Sequence, residues 1–167
     1  MPQFKITDIW DVLEKIKLTL DTDENKVLIN ERIKLFQSAS SLKGVIVGDY
    51  RLMGGFPCIN LEPSGVDIKV AGTNYTFENT HSIQCGVYVK SLKRGVEVKY
   101  LTRVVQIIIE ILMHKDYSCI EMPNGPVYNL NVFGNTQLGW VQGGAVRAAL
   151  IPITAVAWRS GRGYNNE

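Results

Sequence analysis

The side chains best suited to chemistry in this sequence are few and lie far apart. The histidines are His81 and His114, and the cysteines are Cys58, Cys85 and Cys119. Neither histidine has a Cys, Asp or Glu at a spacing typical of metal ligands, so the pattern does not predict a metal site. A nucleophilic Cys58–His81 pair would have to be assembled by the fold, since nothing local to either residue supports it. We therefore expect no metal and no cofactor, and we interpret the histidines as surface or helix-end residues.

The glycine pairs of the sequence do not resemble a nucleotide-binding loop. Gly54-Gly55 and Gly143-Gly144 lack the lysine and the Ser or Thr of a P-loop, and neither stands in a strand–GxGxxG–helix context. The cysteines are odd in number and widely spaced, which argues against a disulfide framework, and we expect all three to be small core side chains. Because no pattern indicates catalysis, we predict that the chain is not an enzyme.

Length and composition indicate one globular domain. The chain has 167 residues, of which 46% are apolar and 20% charged, and its net charge is +2. Such a chain can bury a core without disulfides or metals, and its charge does not suggest a tight grip on nucleic acid. No apolar run resembles a signal peptide or a membrane span, so we expect synthesis in the cytoplasm and no membrane partner. We predict a single α+β domain over residues 1–160 and a flexible tail over 161–167.

Two segments carry the apolar spacing of amphipathic helices. The first begins near Thr7 or Asp8, either of which can cap it, and its apolar face comprises Ile9, Val12, Leu13, Ile16 and Leu20. The second runs from about Glu97 to His114, and its predicted buried stripe comprises Leu101, Val104, Val105, Ile108, Ile111 and Leu112. Between the two, residues 27–36 fit a helix or a strand, and the pattern does not decide.

Strands are predicted where apolar side chains alternate. The clearest runs from Ser82 to Lys90, and shorter ones cover residues 45–47 and 56–61. A turn at residues 63–65 and a hairpin over 66–78 are expected to follow the latter. After the second helix we predict strands at 128–132 and 146–158, and Pro152 within the latter argues for an edge position or a bulge. The predicted fold is α+β, with a mostly antiparallel sheet and two main helices packed on one face.

Two glycine-containing loops carry residue types that are common at protein interfaces. One is Arg51 to Phe56, and the other is Thr136 to Gly144, in which Trp140 is either tucked onto its own core or offered to a partner. A basic loop at Lys93 and Arg94 is either a solvated face or a contact for an acidic partner. The residues predicted to contact other subunits or partners are Leu52, Met53, Phe56, Lys93, Arg94, Leu138, Trp140, Arg159, Arg162 and Tyr164.

The order of the predicted elements resembles a known family. An N-terminal amphipathic helix precedes a strand that contains Pro57-Cys58-Ile59-Asn60-Leu61. The strand Val87-Tyr88-Val89-Lys90 then leads to a long helix, and closing strands end in Val156-Ala157-Trp158-Arg159. From about Thr7 to Arg159 the chain looks like the tail terminator proteins of long-tailed bacteriophages. It is also similar to the related tail-completion and neck proteins that share their fold.

The resemblance implies a structural protein of the virion. Six such subunits would form a ring on the head-proximal end of the tail tube, stop its polymerisation and join it to the head connector. Expected partners are other copies of the chain, the tail tube protein and the connector or neck proteins, and DNA would pass through the ring without tight binding. Two alternatives stay open, namely another head–tail joining or tail-completion role, or a small ligand-binding or enzymatic α+β domain whose site is built from distant residues.

Overall fold

The computed structural model describes residues 8–34, 41–71, 76–90, 96–122, 126–132 and 134–160. Its helices are α1 (Ile9–Leu20), α2 (Asp23–Lys34) and α3 (Val96–Leu112). Its strands are β1 (Val45–Val47), β2 (Cys58–Ala71), β3 (Thr76–Lys90), β4 (Cys119–Glu121), β5 (Val127–Asn131), β6 (Gln137–Val141) and β7 (Val146–Ser160). Short 3₁₀ turns lie at Tyr50–Leu52 and Gln142–Gly144.

The described strands form one mixed sheet in the order β1-β2-β3-β7-β5-β4, and β6 pairs with β7 beside β5. β1 runs parallel to β2, whereas the other pairings are antiparallel. The long ladders β2–β3 and β3–β7 form the centre of the sheet. The chain is therefore an α+β protein with a mixed sheet, and it has three helices in its described part rather than the two that the sequence predicted.

The helices begin and pack where their sequences dictate. The Asp8 carboxylate accepts a hydrogen bond from the Trp10 backbone N–H at 3.2 Å and so caps α1, as predicted. Residues 27–34 of the ambiguous segment belong to α2, which packs on α3 and α1, and residues 35 and 36 lie outside the described residues. α2 has only a narrow apolar side, on which Ile29 and Ile33 are buried. This weak amphipathicity explains why spacing alone did not identify the helix.

One face of the sheet, here called the core face, shares a hydrophobic core with the helices. β2, β3 and β7 contribute Ile59, Leu61, Ile83, Cys85, Val87, Ala149, Ile151 and Ile153 to it. All six predicted stripe residues of α3 are buried, and Ile108 is fully so. α1 contacts β1 and β2, while α3 contacts β3 and β7. The opposite side of the sheet is called the outer face.

The turn predicted at residues 63–65 is wrong, because β2 continues through it. The pairing with β3 shifts between Pro63 and Gly65, so this segment is a β-bulge within a longer strand. The extra residue is Ser64, while Pro63 keeps its place opposite Ile83. Proline is tolerated at bulges and on edge strands, so Pro63 does not end the strand. The predicted hairpin is present, and Ala71 of β2 lies opposite Thr76 of β3.

The edge position predicted for β7 is also wrong. β7 lies between β3 on one side and β5 and β6 on the other. β6 pairs with residues 146–150 and β5 with residues 154–156. Pro152 therefore stands in the gap between these two neighbours, where neither β5 nor β6 needs a hydrogen bond from it. A proline can thus occupy a central strand whose partners are discontinuous.

Candidate functional site

The strand β6 places two large apolar side chains at a corner of the sheet. Leu138 and Trp140 are 44% and 47% exposed, and they lie opposite Ala149 and Arg147 of β7. The Arg147 guanidinium carbon lies 4.6 Å from the centre of the Trp140 ring, a cation–π contact. We name Leu138, Trp140 and Arg147 the β6 corner. The sequence suggested a loop at residues 136–144, and the structure corrects this to a strand followed by a 3₁₀ turn.

The turn after β6 explains why the sequence suggested a loop. Gly143 and Gly144 have φ of 64° and 89°, and Gln142 has φ of 52°. Backbone of this left-handed kind favours glycine and marks the reversal into β7. The glycines therefore belong to the turn, while Gly139 lies inside β6 itself.

The loop between β1 and β2 lies on the outer face and presents Leu52, which is 74% exposed. Its neighbours Met53 and Phe56 are half-buried and pack on a small cluster made of Cys58, Tyr88, Val146 and Ala148. Val141 of β6 packs on the same cluster, so the structure brings the two predicted interface loops together. Met53 and Phe56 hold this loop against the sheet, and Leu52 is the side chain it presents to solvent.

Ring stacking and polar contacts hold the same loop in place. The Tyr50 ring stacks on the Tyr88 ring, with centroids 3.9 Å apart, and burial raises the pKa of the Tyr88 hydroxyl. The Asn60 amide donates to the Gly48 carbonyl at 2.9 Å and to Glu62 Oε1 at 3.0 Å. The Asp49 carboxylate accepts from the Arg51 backbone N–H at 2.9 Å and pairs with its guanidinium. These contacts fix the position from which Leu52 projects.

The hairpin of β2 and β3 extends a second apolar surface. We name residues 65–71 and 76–82 the arm. Val66, Ile68 and Val70 are 54%, 66% and 72% exposed, and their register places Val66 and Ile68 opposite His81 and Asn79 of β3. The sequence predicted a hairpin from this alternation and gave no sign of a contact role. Alternation alone did not show that these three side chains stay mostly exposed in the described part of the chain.

The two histidines lie in different environments. His81 is buried, and its Nε2 lies 3.1 Å from the Tyr128 hydroxyl, so the prediction of a surface histidine is wrong for this residue. His114 is exposed after the end of α3, and its Nδ1 lies 3.4 Å from an Asp116 carboxylate oxygen. Cys58 pairs with Tyr88, seven residues along β3 from His81. That separation is about 23 Å at the rise of a strand, so the fold does not assemble a Cys58–His81 pair.

The cysteines divide into two buried and one exposed. Cys58 and Cys85 are buried, and burial raises their pKa values to about 11 and about 12. Cys119 is exposed on β4, and its thiol donates to the Asn129 side-chain oxygen at 3.3 Å. The expectation of three core cysteines is therefore wrong for Cys119, because β4 is a short strand at the edge of the sheet.

A cleft of about 320 Å³ lies between α2, α3 and the turn that follows α3. Its lining combines Glu24, Glu110 and Asp116 with the apolar side chains of Leu28 and Ile107. Across the described ranges, no cluster of three or more His, Cys, Asp or Glu side chains is arranged to hold a metal ion. Within the same part of the chain, no helix is both long and apolar enough to cross a membrane.

Several predicted contact residues lie outside the described residues. These are Lys93, Arg94, Arg162 and Tyr164. Arg159 belongs to β7 and pairs with Phe77 of β3. Their assignment to an interface stays a prediction, as does that of the tail over residues 161–167.

Comparison with known proteins adds a structural likeness. No family model matches the chain, and no curated protein matches it. Among solved structures, the chain is similar to a chain of the virion of a native gene transfer agent particle. That likeness covers 69% of this chain and 78% of the other, with 12% sequence identity and a TM-score of 0.48.

Proposed function

We propose that the chain is a structural subunit of a bacteriophage virion. Copies of it form a hexameric ring on the head-proximal end of the tail tube, end tube polymerisation and join the tail to the head connector. The observation that supports this best is the β6 corner, where Trp140 and Leu138 are both nearly half exposed. Tryptophan and arginine are the residue types most enriched at the energetic centres of protein interfaces.

A ring needs two different surfaces on every subunit, because each copy contacts one neighbour on each side. The β6 corner supplies one of them, and Leu52, in the loop on the outer face, is a separate predicted contact. The second surface is assigned to the basic loop at Lys93 and Arg94. Arg159 lies at the other end of β7, opposite Phe77 of β3, so Arg159, Arg162 and Tyr164 are assigned to contacts with another partner. The element order that resembles tail terminators supports this arrangement as a whole.

The charge of the chain suits a channel through which DNA moves. The 18 Lys and Arg residues are nearly balanced by 16 Asp and Glu residues, so the chain offers phosphates little net positive charge. Tight non-specific binding to DNA requires several contacts between cations and phosphates, and its affinity falls steeply with salt. In this proposal DNA passes through the ring without being tightly bound. The subunit has no catalytic role and no cofactor, and it joins the virion after synthesis in the host cytoplasm.

Electron microscopy of particles made by the parent virus with this gene silenced tests the proposal. Overlong, headless tubes are the expected result, because nothing would then end tube growth. Tubes of normal length beside separate filled heads would replace termination by a joining role. Fully normal particles would overturn a structural role, and the cleft lined by Glu24 and Glu110 would then be the place to search for a ligand.

Complementation with point variants tests the surface itself. Trp140→Ala should fold normally and lower the yield of complete particles by about tenfold or more, because truncating a central interface aromatic costs about 2 kcal/mol. Trp10→Ala is the matched control, since Trp10 is also 47% exposed but lies on α1. Removal of residues 161–167 should also spare folding and weaken assembly. Equal particle yields for the two tryptophan variants would remove the β6 corner from the interface.

A further inference from the structure

The arm leaves one side of β2 without a neighbouring strand in the described part of the chain. β1 pairs only with residues 59–61 of β2, whereas β2 continues to Ala71. The bulge between Pro63 and Gly65 separates the paired part from the free part. Backbone N–H and C=O groups along a free edge can pair with a strand of another chain, so such edges are usually short, charged or covered.

The sequence along this edge is symmetric in an unusual way. Residues 66–70 read Val-Asp-Ile-Lys-Val, so apolar residues flank an acidic residue, an isoleucine and a basic residue. Asp67 and Lys69 lie on the outer face and form an exposed ion pair, with Nζ and Oδ2 2.9 Å apart. Val66, Ile68 and Val70 lie on the other face, because side chains alternate along a strand. Reversing the direction of the segment exchanges the two charges and leaves the apolar positions unchanged.

This pattern selects one register for pairing with a second copy. In an antiparallel pair centred on Ile68, Asp67 stands opposite Lys69 of the second copy, and Val66 stands opposite its Val70. A pair centred on Asp67 places two aspartates opposite each other, and one centred on Lys69 places two lysines opposite each other. Like charges directly opposite are unfavourable, and opposite charges are favourable. A slip by a single residue sets an apolar face against a polar face.

We propose that the free subunit forms a two-fold dimer in which the β2 edges of two copies pair antiparallel, with Ile68 at the axis. The dimer joins the arms into one continuous sheet and places the Val66, Ile68 and Val70 rows of both copies side by side. Since the same edge is used by both partners, the contact closes at two copies. The proposal concerns the free edge of β2, which is separate from the β6 corner and from the loop at Lys93 and Arg94 that we assign to the ring.

An opposing interpretation of the same residues is that Lys69 protects the edge. A lysine on an exposed edge strand commonly prevents pairing with other chains. That interpretation predicts a monomer, and it predicts that replacing Lys69 by an acidic residue changes nothing or permits association. The dimer requires the opposite, so charge reversal distinguishes the two.

Sedimentation velocity of purified wild type and two single variants provides the test. Asp67→Lys and Lys69→Asp each place like charges opposite each other at two positions, and each should weaken the dimer by about tenfold or more. Mixing the two variants restores opposite charges at both positions, so the mixture should form a one-to-one dimer. The double variant Asp67→Lys/Lys69→Asp should dimerise as the wild type does.

Charge reversals on α1 provide matched controls. Glu14 and Lys17 form an ion pair at the surface of α1, so Glu14→Lys and Lys17→Asp change the net charge equally and should leave the dimer intact. A monomeric wild type, a dimer that survives both single reversals, or a mixture that stays monomeric would each overturn the proposal. A hexamer that persists through all arm variants would support the ring and overturn the arm dimer.

Discussion

Two isoleucines of the same strand show how differently the arm and the rest of the sheet, here called the body, are used. Ile59 and Ile68 both belong to β2 and both lie on its apolar side, before and after the bulge. Ile59 is fully buried in the main core, where α1 contacts β2, whereas Ile68 is 66% exposed. Alternation of apolar side chains therefore determines that a segment is a strand, but the neighbouring elements determine whether its apolar face is covered.

The difference assigns separate roles to the two regions. Burial in the body contributes to the free energy of folding in proportion to the apolar area removed from water. The arm removes little apolar area from water in the single chain, so its apolar residues contribute mainly where another chain covers them. Mutations in the body should therefore change stability, and mutations in the arm should change association.

The largest effect is expected at the centre of the core. Ile108→Asp places an unpaired charge in the fully buried stripe of α3, which should cost at least about 4 kcal/mol and abolish folding. Gln106→Asp on the exposed side of the same helix should cost less than about 1 kcal/mol. Circular dichroism and urea unfolding measure both. A folded, cooperatively unfolding Ile108→Asp variant would contradict the core assignment.

Truncating Ile59 and Ile68 tests whether the body and the arm differ in this way. Ile59→Ala should lower the free energy of unfolding by about 2–5 kcal/mol, because it leaves a cavity in a packed core. Ile68→Ala should change it by less than about 0.5 kcal/mol, since the side chain is mostly exposed. Urea midpoints at protein concentrations low enough to exclude association provide the measurement. Similar losses for both variants would mean that the arm is covered within the single chain.

A smaller effect is expected on the outer face of the body. A Cβ atom at Gly86 would meet the side-chain oxygen of Asn60 and would lie 2.6 Å from a Tyr88 ring carbon. Gly86→Ala should therefore cost about 1–3 kcal/mol through overpacking. A Cβ atom at Gly139 in β6 would meet no atom within 4 Å, so Gly139→Ala should be neutral or slightly stabilising. Thermal unfolding of the two variants measures both effects, and equal melting temperatures for the two variants would contradict the packing described for this face.

The smallest effect concerns the loop that presents Leu52. Hydrogen bonds from Arg51 hold the pKa of the Asp49 carboxyl below its ordinary value near 3.8. A depressed pKa in the folded state means that the contact stabilises above pH 3.8 and is lost as the pH falls through the folded value. The difference in urea midpoint between wild type and Asp49→Asn should thus be small at neutral pH and vanish in acid. A difference that grows on acidification would contradict this sign.

Many of the helices and strands could be predicted because the spacing of apolar residues in each segment fits only one type of secondary structure. The six predicted stripe positions of α3 and the alternation from Ile83 to Val89 each define one hydrophobic period, helical in the first case and that of a strand in the second. The errors occurred where one residue type has two structural uses. Pro152 suggested an edge but occupies a gap between partner strands, and the segment 63–65 suggested a turn but forms a bulge.

The candidate surfaces were only partly predictable. Leu52 and Trp140 are exposed, as interface residues must be, and their residue types provided the signal. Met53 and Phe56 have the same types but pack inward on Tyr88 and its neighbours, a contact that only the folded sheet creates. The arm was missed because its pattern matches that of buried strands, and alternation does not show whether the apolar side chains are covered or exposed.

The distribution of the three thiols has a practical consequence for spectroscopy and imaging. Cys58 and Cys85 are buried with raised pKa values, so neither supplies thiolate to an alkylating reagent at neutral pH. Cys119 is exposed on β4, separated from β2 by β3, β7 and β5. A maleimide dye or gold particle should therefore attach at this one position of the unmodified sequence. The wild-type chain thus carries its own label site, remote from the arm, for locating the subunit in a particle or measuring distances between copies.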